Sequence, residues 1–183
     1  MLERFLRGAL AKPAAAPRIV MSLPHAWADE IGRRAPGVER TAGVLGELFA
    51  GARRSLKIFA PYVDPTFTSL VSSVRAPVKI VTTPAPGRPP RPSPVLERCT
   101  TICDLAVRYL NERRDRALIF QMHAKMVLAD GERAYIGSAN LTDTSVHYNL
   151  ELGLVLEDRE VMSTLERVFD FFFDHAAVRA GQL

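Results

Sequence analysis

No stretch of this 183-residue sequence approaches the ~20 consecutive apolar residues that a membrane span requires. The chain is therefore expected not to insert into a bilayer. Only two cysteines are present; Cys99 and Cys103 stand four apart in a helical pattern, imply no disulfide framework, and have no further ligands nearby to make a metal pair. Histidine is also scarce, four in all. No set of histidines and carboxylates has zinc-ligand spacing, and no acidic cluster suits magnesium, so no metal or other cofactor is expected. The opening MLERFLRGAL contains an acidic Glu3 and lacks an apolar core of signal-peptide length. Export is not expected, and the predicted location is the cytoplasm.

What remains is an ordinary globular composition, 48% hydrophobic and 24% charged, with a net charge of +4. One domain of this length buries roughly two thirds of its unfolded surface. The positive balance, mostly arginine, is compatible with a polyanionic partner without requiring one.

Residues 1–36 read as an N-terminal appendage, punctuated by Pro24 and Pro36; a short amphipathic helix is expected within LERFLRGALA. His25 and Trp27 there read as surface or packing residues. From Val38 the pattern clears. Val44, Leu45, Leu48, Phe49 and Ala52 predict a helix over Val38–Arg54, SLKIFA predicts a strand, Asp64 caps a second helix, and PVKIVTT predicts a second strand. Strand, helix, strand at this length is a parallel crossover. Pro84–Pro94 contains six prolines and predicts an exposed connector, whose Arg88 and Arg91 either are solvated or touch phosphate. Val95, Leu96, Cys99, Ile102, Cys103, Ala106, Val107 and Leu110 then predict one long helix. It ends in NERRDR, where Arg113, Arg114 and Arg116 either attract a phosphodiester polymer or complement the helix dipole. A strand over Asn149–Glu157 and a closing helix through Val161, Leu165, Phe169 and Phe173 complete the pattern. His147 and His175 have no reactive neighbours in sequence.

One stretch is too specific for packing alone. In QMHAKMVLADGERAYIGSANLTDTSVHYNLE, from Gln121 to Glu151, the residues His123, Lys125, Asp130, Gly137, Ser138 and Asn140 form the pattern H-x-K-x4-D-x6-G-S-x-N. Short apolar runs flank it, and Asp130-Gly131 is a two-residue hairpin signal. On a strand, His123 and Lys125 would project from one face. Gly137 would allow close backbone approach to a ligand, while Ser138 and Asn140 supply a hydroxyl and an amide. Together these groups suit a tetrahedral oxyanion.

Position for position, those six residues resemble the signature of the phospholipase D superfamily. Six fixed types at fixed spacing, each at about 5% usage, arise by chance on the order of once in a hundred thousand to a million chains. The resemblance extends to element order over Val38 to about His175, and to an N-x-E segment at Asn149 and Glu151. It implies an α/β fold, a mixed, largely parallel central sheet flanked by helices on both faces, with 37–183 as the catalytic domain. It also implies a nucleophilic His123, with Lys125 and Asn140, helped by Ser138, balancing charge on the phosphoryl oxygens and Glu151 accepting from the other imidazole nitrogen. Asp130 is expected to support the framework. The resemblance further implies a second histidine to protonate the leaving oxygen, and the chain holds a single copy of the motif. An obligate homodimer with one composite site is expected.

The resemblance specifies the reaction and leaves the substrate open. A basic, compact chain resembles the bacterial endonuclease branch, so the first expectation is a metal-independent nuclease on DNA or RNA. Gly137, Arg113, Arg114 and Arg116 are its expected substrate-binding residues. Two alternatives stand beside it: a phospholipase or phosphatidyltransferase, and a nucleic-acid-binding subunit of a defence or repair complex whose site is gated by partners.

Overall fold

The computed structural model describes residues 15–84, 93–114 and 117–178. Ten strands and five helices are seen among them. They are β1 (Arg18–Ser22), α1 (His25–Arg34), β2 (Glu39–Arg40), α2 (Thr41–Gly51), β3 (Leu56–Phe59), α3 (Pro65–Val71), β4 (Val78–Thr82), α4 (Pro94–Cys99), β5 (Leu105–Tyr109), β6 (Asn111–Arg114), β7 (Ala117–Gln121), β8 (Met126–Ala129), β9 (Arg133–Gly137), β10 (Glu151–Leu156) and α5 (Arg159–His175). A π-helical turn, Thr144–Tyr148, precedes β10.

Eight strands form one sheet in the order β2-β1-β10-β9-β8-β3-β4-β5, and β6 pairs with β7 apart from it. The sheet is mixed. β3, β4 and β5 run parallel, as do β1 and β2, whereas β3/β8, β8/β9, β9/β10 and β10/β1 are antiparallel. Helices cover both faces, because central strands such as β3 and β8 are buried along nearly their whole length and have two apolar sides to shield. On one face α2, α3 and α4 bury Leu45, Phe49, Phe67 and Leu96 against Ile58, Val127, Tyr135 and Val155. On the other, α5 buries Met162, Phe169 and Phe173 against Phe59, Val81, Met126 and Leu128. Lys57 of β3 reaches Glu166 and Asp170 of α5 at 3.3 and 2.9 Å, which fixes the helix along the strand. No helix among the described residues is long and apolar enough to cross a membrane.

Several predicted elements hold. α2 and β3 lie within the predicted helix and strand, β4 follows as the parallel neighbour, and Asp64 caps α3 by accepting from the Thr66 N–H at 2.8 Å.

Other expectations are corrected. The long helix after the proline-rich segment stops at Cys99, and Leu105–Tyr109 is strand β5, parallel to β4. The physical reason lies in two-sided burial: Leu105 and Val107 pack into one core cluster, Ala106 and Leu110 into the other. A strand apolar on both faces loses its period of two, and here it mimics a helical stripe. Thr100 and Thr101 mark the break, their hydroxyls donating back to the Glu97 and Arg98 carbonyls. Arg113 and Arg114 accordingly lie on strand β6, not at a helix C-terminus.

Part of the expected appendage also belongs to the sheet. Arg18–Ser22 pairs with β10 on one side and β2 on the other, with Ser22 opposite Glu151. The expected helix within the first ten residues, Arg88, Arg91 and Arg116 lie outside the described residues.

Candidate active site

The spacing of the motif is the length of a hairpin. Four residues separate Lys125 from Asp130, and these are β8; six separate Asp130 from Gly137, enough for the turn and the return along β9. Lys125 and Gly137 thus meet at one sheet edge, the Gly137 N–H donating to the Lys125 carbonyl at 3.3 Å. Antiparallel pairing of β8 with β3, and of β10 with β9, brings the end of β3 and the start of β10 to the same edge. Residues scattered from Tyr62 to Glu151 are collected there.

His123 and Lys125 precede β8 instead of standing on it, since the strand begins at Met126. They nevertheless share one pocket. The Lys125 Nζ lies 2.9 Å from His123 Nδ1 and 3.2 Å from Nε2, and it donates to the His123 carbonyl at 2.8 Å. The imidazole is exposed while Lys125 is only 9% exposed. Burial lowers the Lys125 pKa, opposed by the negative charge of Glu151. A partly desolvated ammonium beside an accessible imidazole is well placed to meet an anionic substrate.

Ser138 follows β9, donates to the Glu151 carboxylate and receives the Leu152 N–H at 3.1 Å. Asn149 donates to the other Glu151 oxygen at 3.3 Å. The expected bond between Glu151 and the imidazole is therefore replaced: among the described residues Glu151 is engaged by Ser138 and Asn149, and Lys125 occupies the histidine. Asn140 is half-buried, and its Oδ1 has no hydrogen-bond partner, an orphaned polar atom at the site.

Asp130 stands at the opposite sheet edge, about 16 Å along the strand from Lys125. Both Asp130 and Gly131 have positive φ, 59° and 67°, and the Glu132 N–H closes the turn on the Ala129 carbonyl. Strand pairing resumes at Ala129 with Arg133, so the loop has three residues where the sequence signal predicts two. The Asp130 carboxylate accepts from the backbone N–H groups of Arg53, Arg54 and Ser55 at 2.7 to 3.1 Å. Burial raises its pKa, but these N–H groups and the Arg54 charge outweigh that and leave it below the usual value. Asp130 thus joins the α2–β3 connection to the hairpin and lies far from the reacting groups. Asp130→Ala is expected to cost about 3 kcal/mol, because three N–H groups lose their acceptor. A carboxyl with a depressed folded pKa contributes stability above its unfolded pKa and loses it as pH falls through the folded value. Urea unfolding should therefore separate the variant from wild type at neutral pH, and the gap should close in acid below the ordinary aspartate range.

Gly137 has a different role from the expected one. A Cβ there would lie 2.3 Å from the Tyr135 hydroxyl and 2.7 Å from the Leu152 carbonyl, so the close approach is made by the protein itself. Its register partner Gly153 is covered by the same ring, with Tyr135 Cε2 at 2.3 Å from a Cβ position. Tyr135 is 1% exposed, and burial pushes its phenol up to about 12.

Two contributors were missed from sequence. The ring of Tyr62, just beyond β3, stands edge-on to His123 with centroids 6.2 Å apart, and its hydroxyl accepts from Gln121 at 3.2 Å. Its position just past the C-terminal end of a parallel strand was the available signal. Asp64, read only as a cap, also accepts the Asp143 N–H at 2.7 Å and so fastens the segment that carries Asn140. His147 and His175 are placed elsewhere: His147 lies in the π-helical turn 4.0 Å from Asp143, and His175 is at the end of α5 against Phe171. No three His, Cys, Asp or Glu side chains converge as a metal site among the described residues.

This mixed sheet, with the imidazole and ammonium gathered at its edge by a hairpin, is the arrangement of a phosphodiesterase-type site. The chain belongs to the phospholipase D-like family: residues 45–172 match the family model described as cardiolipin synthase, PLD-like domain. Among solved structures, it is similar to NucT from Helicobacter pylori, with 14% identity and TM-score 0.66, over 88% of this chain and 99% of that one. It is similar too to Nuc, a phospholipase D family member from Salmonella typhimurium, with 12% identity and TM-score 0.59, over 88% and 97%. Phosphatidylserine synthase from Haemophilus influenzae Rd KW20 shares 17% identity and TM-score 0.63 over 91% of this chain, which spans 41% of that protein. At these identities the likeness is one of fold. No curated protein matches the sequence closely enough to count as a relative.

Proposed function

We propose that this protein is a metal-independent nuclease that cleaves DNA or RNA through a phosphohistidine, acting in the cytoplasm with one composite active site across a homodimer. The observation that carries the reading is the buried Lys125 ammonium held 2.9 Å from the exposed His123 ring. In the first step a His123 nitrogen forms a bond to phosphorus while the bond to the leaving oxygen breaks, and that oxygen takes a proton from the His123 of a second copy. In the second step that imidazole removes a proton from water, the water oxygen bonds to phosphorus, and the P–N bond breaks to restore the enzyme. Lys125 and Asn140 stabilise the charge on the non-bridging oxygens as it develops; with substrate present the ammonium turns from the imidazole to phosphate. Glu151, positioned by Ser138 and Asn149, supports the cationic site electrostatically. Residues 37–183 are the catalytic unit, completed by β1. Arg113, Arg114 and Arg116 are assigned to the polymer backbone.

The net charge of +4 favours a polyanion. A lipid reading is favoured by another observation: Ile19, Leu152 and Leu154 are exposed on strands beside the site. The purified protein, in EDTA, should be offered single- and double-stranded DNA, RNA and phosphatidyl vesicles in parallel. Cleavage of nucleic acid is the expected result. Turnover of vesicles alone would replace it with the lipid reading, and binding of nucleic acid without cleavage would mark a subunit gated by a partner.

A further inference from the structure

Beside the nucleophile lies a pocket of about 280 Å³ that the chemistry above does not use. Its lining includes Phe59 from β3, Phe120 from β7, Val168 and Phe172 from α5, and Met122 and His123 from the segment before β8. Apart from His123 and Gln121 the lining is apolar. Phe172 is held edge-on by Phe59, with centroids 6.1 Å apart, so its orientation is set by the core. Among the described residues Phe120 has no aromatic partner of this kind. It is 42% exposed, a phenyl ring left in water next to a reactive imidazole.

We propose that this pocket binds an unstacked nucleobase next to the phosphate attacked by His123. The proposal rests on the nuclease reading above. Its volume of about 280 Å³ lies just below the roughly 300–1,000 Å³ usual for ligand pockets, which suits one flat heterocycle and is short for a pair of acyl chains. Every base has a π-face, so phenylalanine walls accept any of them, and stacking on an aromatic side chain is the common way single strands are held. The Gln121 amide, which donates to the Tyr62 hydroxyl at 3.2 Å, stands at the pocket, where it can meet a base edge. A base inside a duplex is stacked and paired and does not reach such a pocket without unstacking. The enzyme therefore prefers single strands or frayed and looped sites.

The test compares wild type, Phe120→Ala and Val168→Trp on a single-stranded oligonucleotide and on the same oligonucleotide with one abasic site at the cleaved position. Phe120 and Val168 are both well exposed, so neither change removes core contacts. Phe120→Ala should raise KM for the base-bearing strand roughly tenfold at unchanged kcat, and Val168→Trp should raise it by filling the pocket. Neither should alter the abasic substrate. Equal effects on both substrates would overturn the proposal while leaving the nuclease reading intact. So would a change in oligomeric state in place of KM, which would assign the pocket to contact between copies. If wild type cuts no nucleic acid but turns over phosphatidylglycerol vesicles with a KM raised by Phe120→Ala, the nuclease reading fails first and the pocket belongs to an acyl chain.

Discussion

Replacing His123 by alanine is expected to lower turnover by on the order of 10⁴-fold or more, with nucleic-acid binding and thermal stability near wild type. The side chain is exposed and contributes nothing to either core cluster, so the loss would belong to chemistry and not to folding. On the proposed mechanism, losing this nucleophile leaves the charge complement of Lys125 but no group able to form the covalent intermediate. The same variant also tests the composite site. If both imidazoles act in one site, a wild-type subunit paired with a His123→Ala subunit lacks either nucleophile or acid. Activity of mixed, refolded populations should then fall as the square of the wild-type fraction. A linear fall would show that each chain acts alone, and the homodimeric site would be abandoned.

The second large effect concerns the fold beneath the site. Gly153→Ala places a Cβ 2.3 Å from the Tyr135 ring, and the ring has no room to retreat because it is buried among Val20, Val127 and Val155. Destabilisation of about 3 kcal/mol is expected from this overpacking. Gly137→Ala should be at least as harmful, and the two should respond differently to Tyr135→Leu. The three atoms nearest a Cβ at Gly153 all belong to the tyrosine, so the double variant should recover stability. A Cβ at Gly137 would also lie 2.7 Å from the Leu152 backbone carbonyl, which no side-chain change removes. Chemical denaturation of the four variants would decide it. Equal recovery for both glycines would refute this account of the paired positions.

These two experiments probe features that were legible in sequence to different degrees. The reactive set was visible because its spacing is local: His123, Lys125, Asp130, Gly137 and Ser138 fall on one hairpin, whose strand lengths determine which residues share an edge. Asp130 was expected in a framework role; its carboxylate accepts from the Arg53, Arg54 and Ser55 N–H groups at the far turn, a strand length from Lys125. α2, β3, β4 and α5 were legible because each buries one face or forms a short apolar run bounded by turn residues. β5 was misread because it buries both faces. β1 was passed over because a five-residue strand with no helical or hairpin partner nearby in sequence has nothing local to announce it; its partner β10 is over a hundred residues away.

The chain's own order of residues was thus enough to point to the family, since an imidazole, an ammonium and the turn between β8 and β9 lie within ten positions of one another. The rest depended on contacts distant in sequence. Tyr62 meets His123 because β3 pairs with β8, Asp64 holds the Asn140 segment across seventy-nine positions, and Glu151 turns to Ser138 and Asn149 because of the β9–β10 register. Gly137 makes room for Tyr135, because side chains on a sheet face compete for space above whichever residue lies beneath them. Local spacing encodes which groups are present at the edge. Packing between remote strands settles which of them touch, because only the folded sheet brings those neighbours within reach.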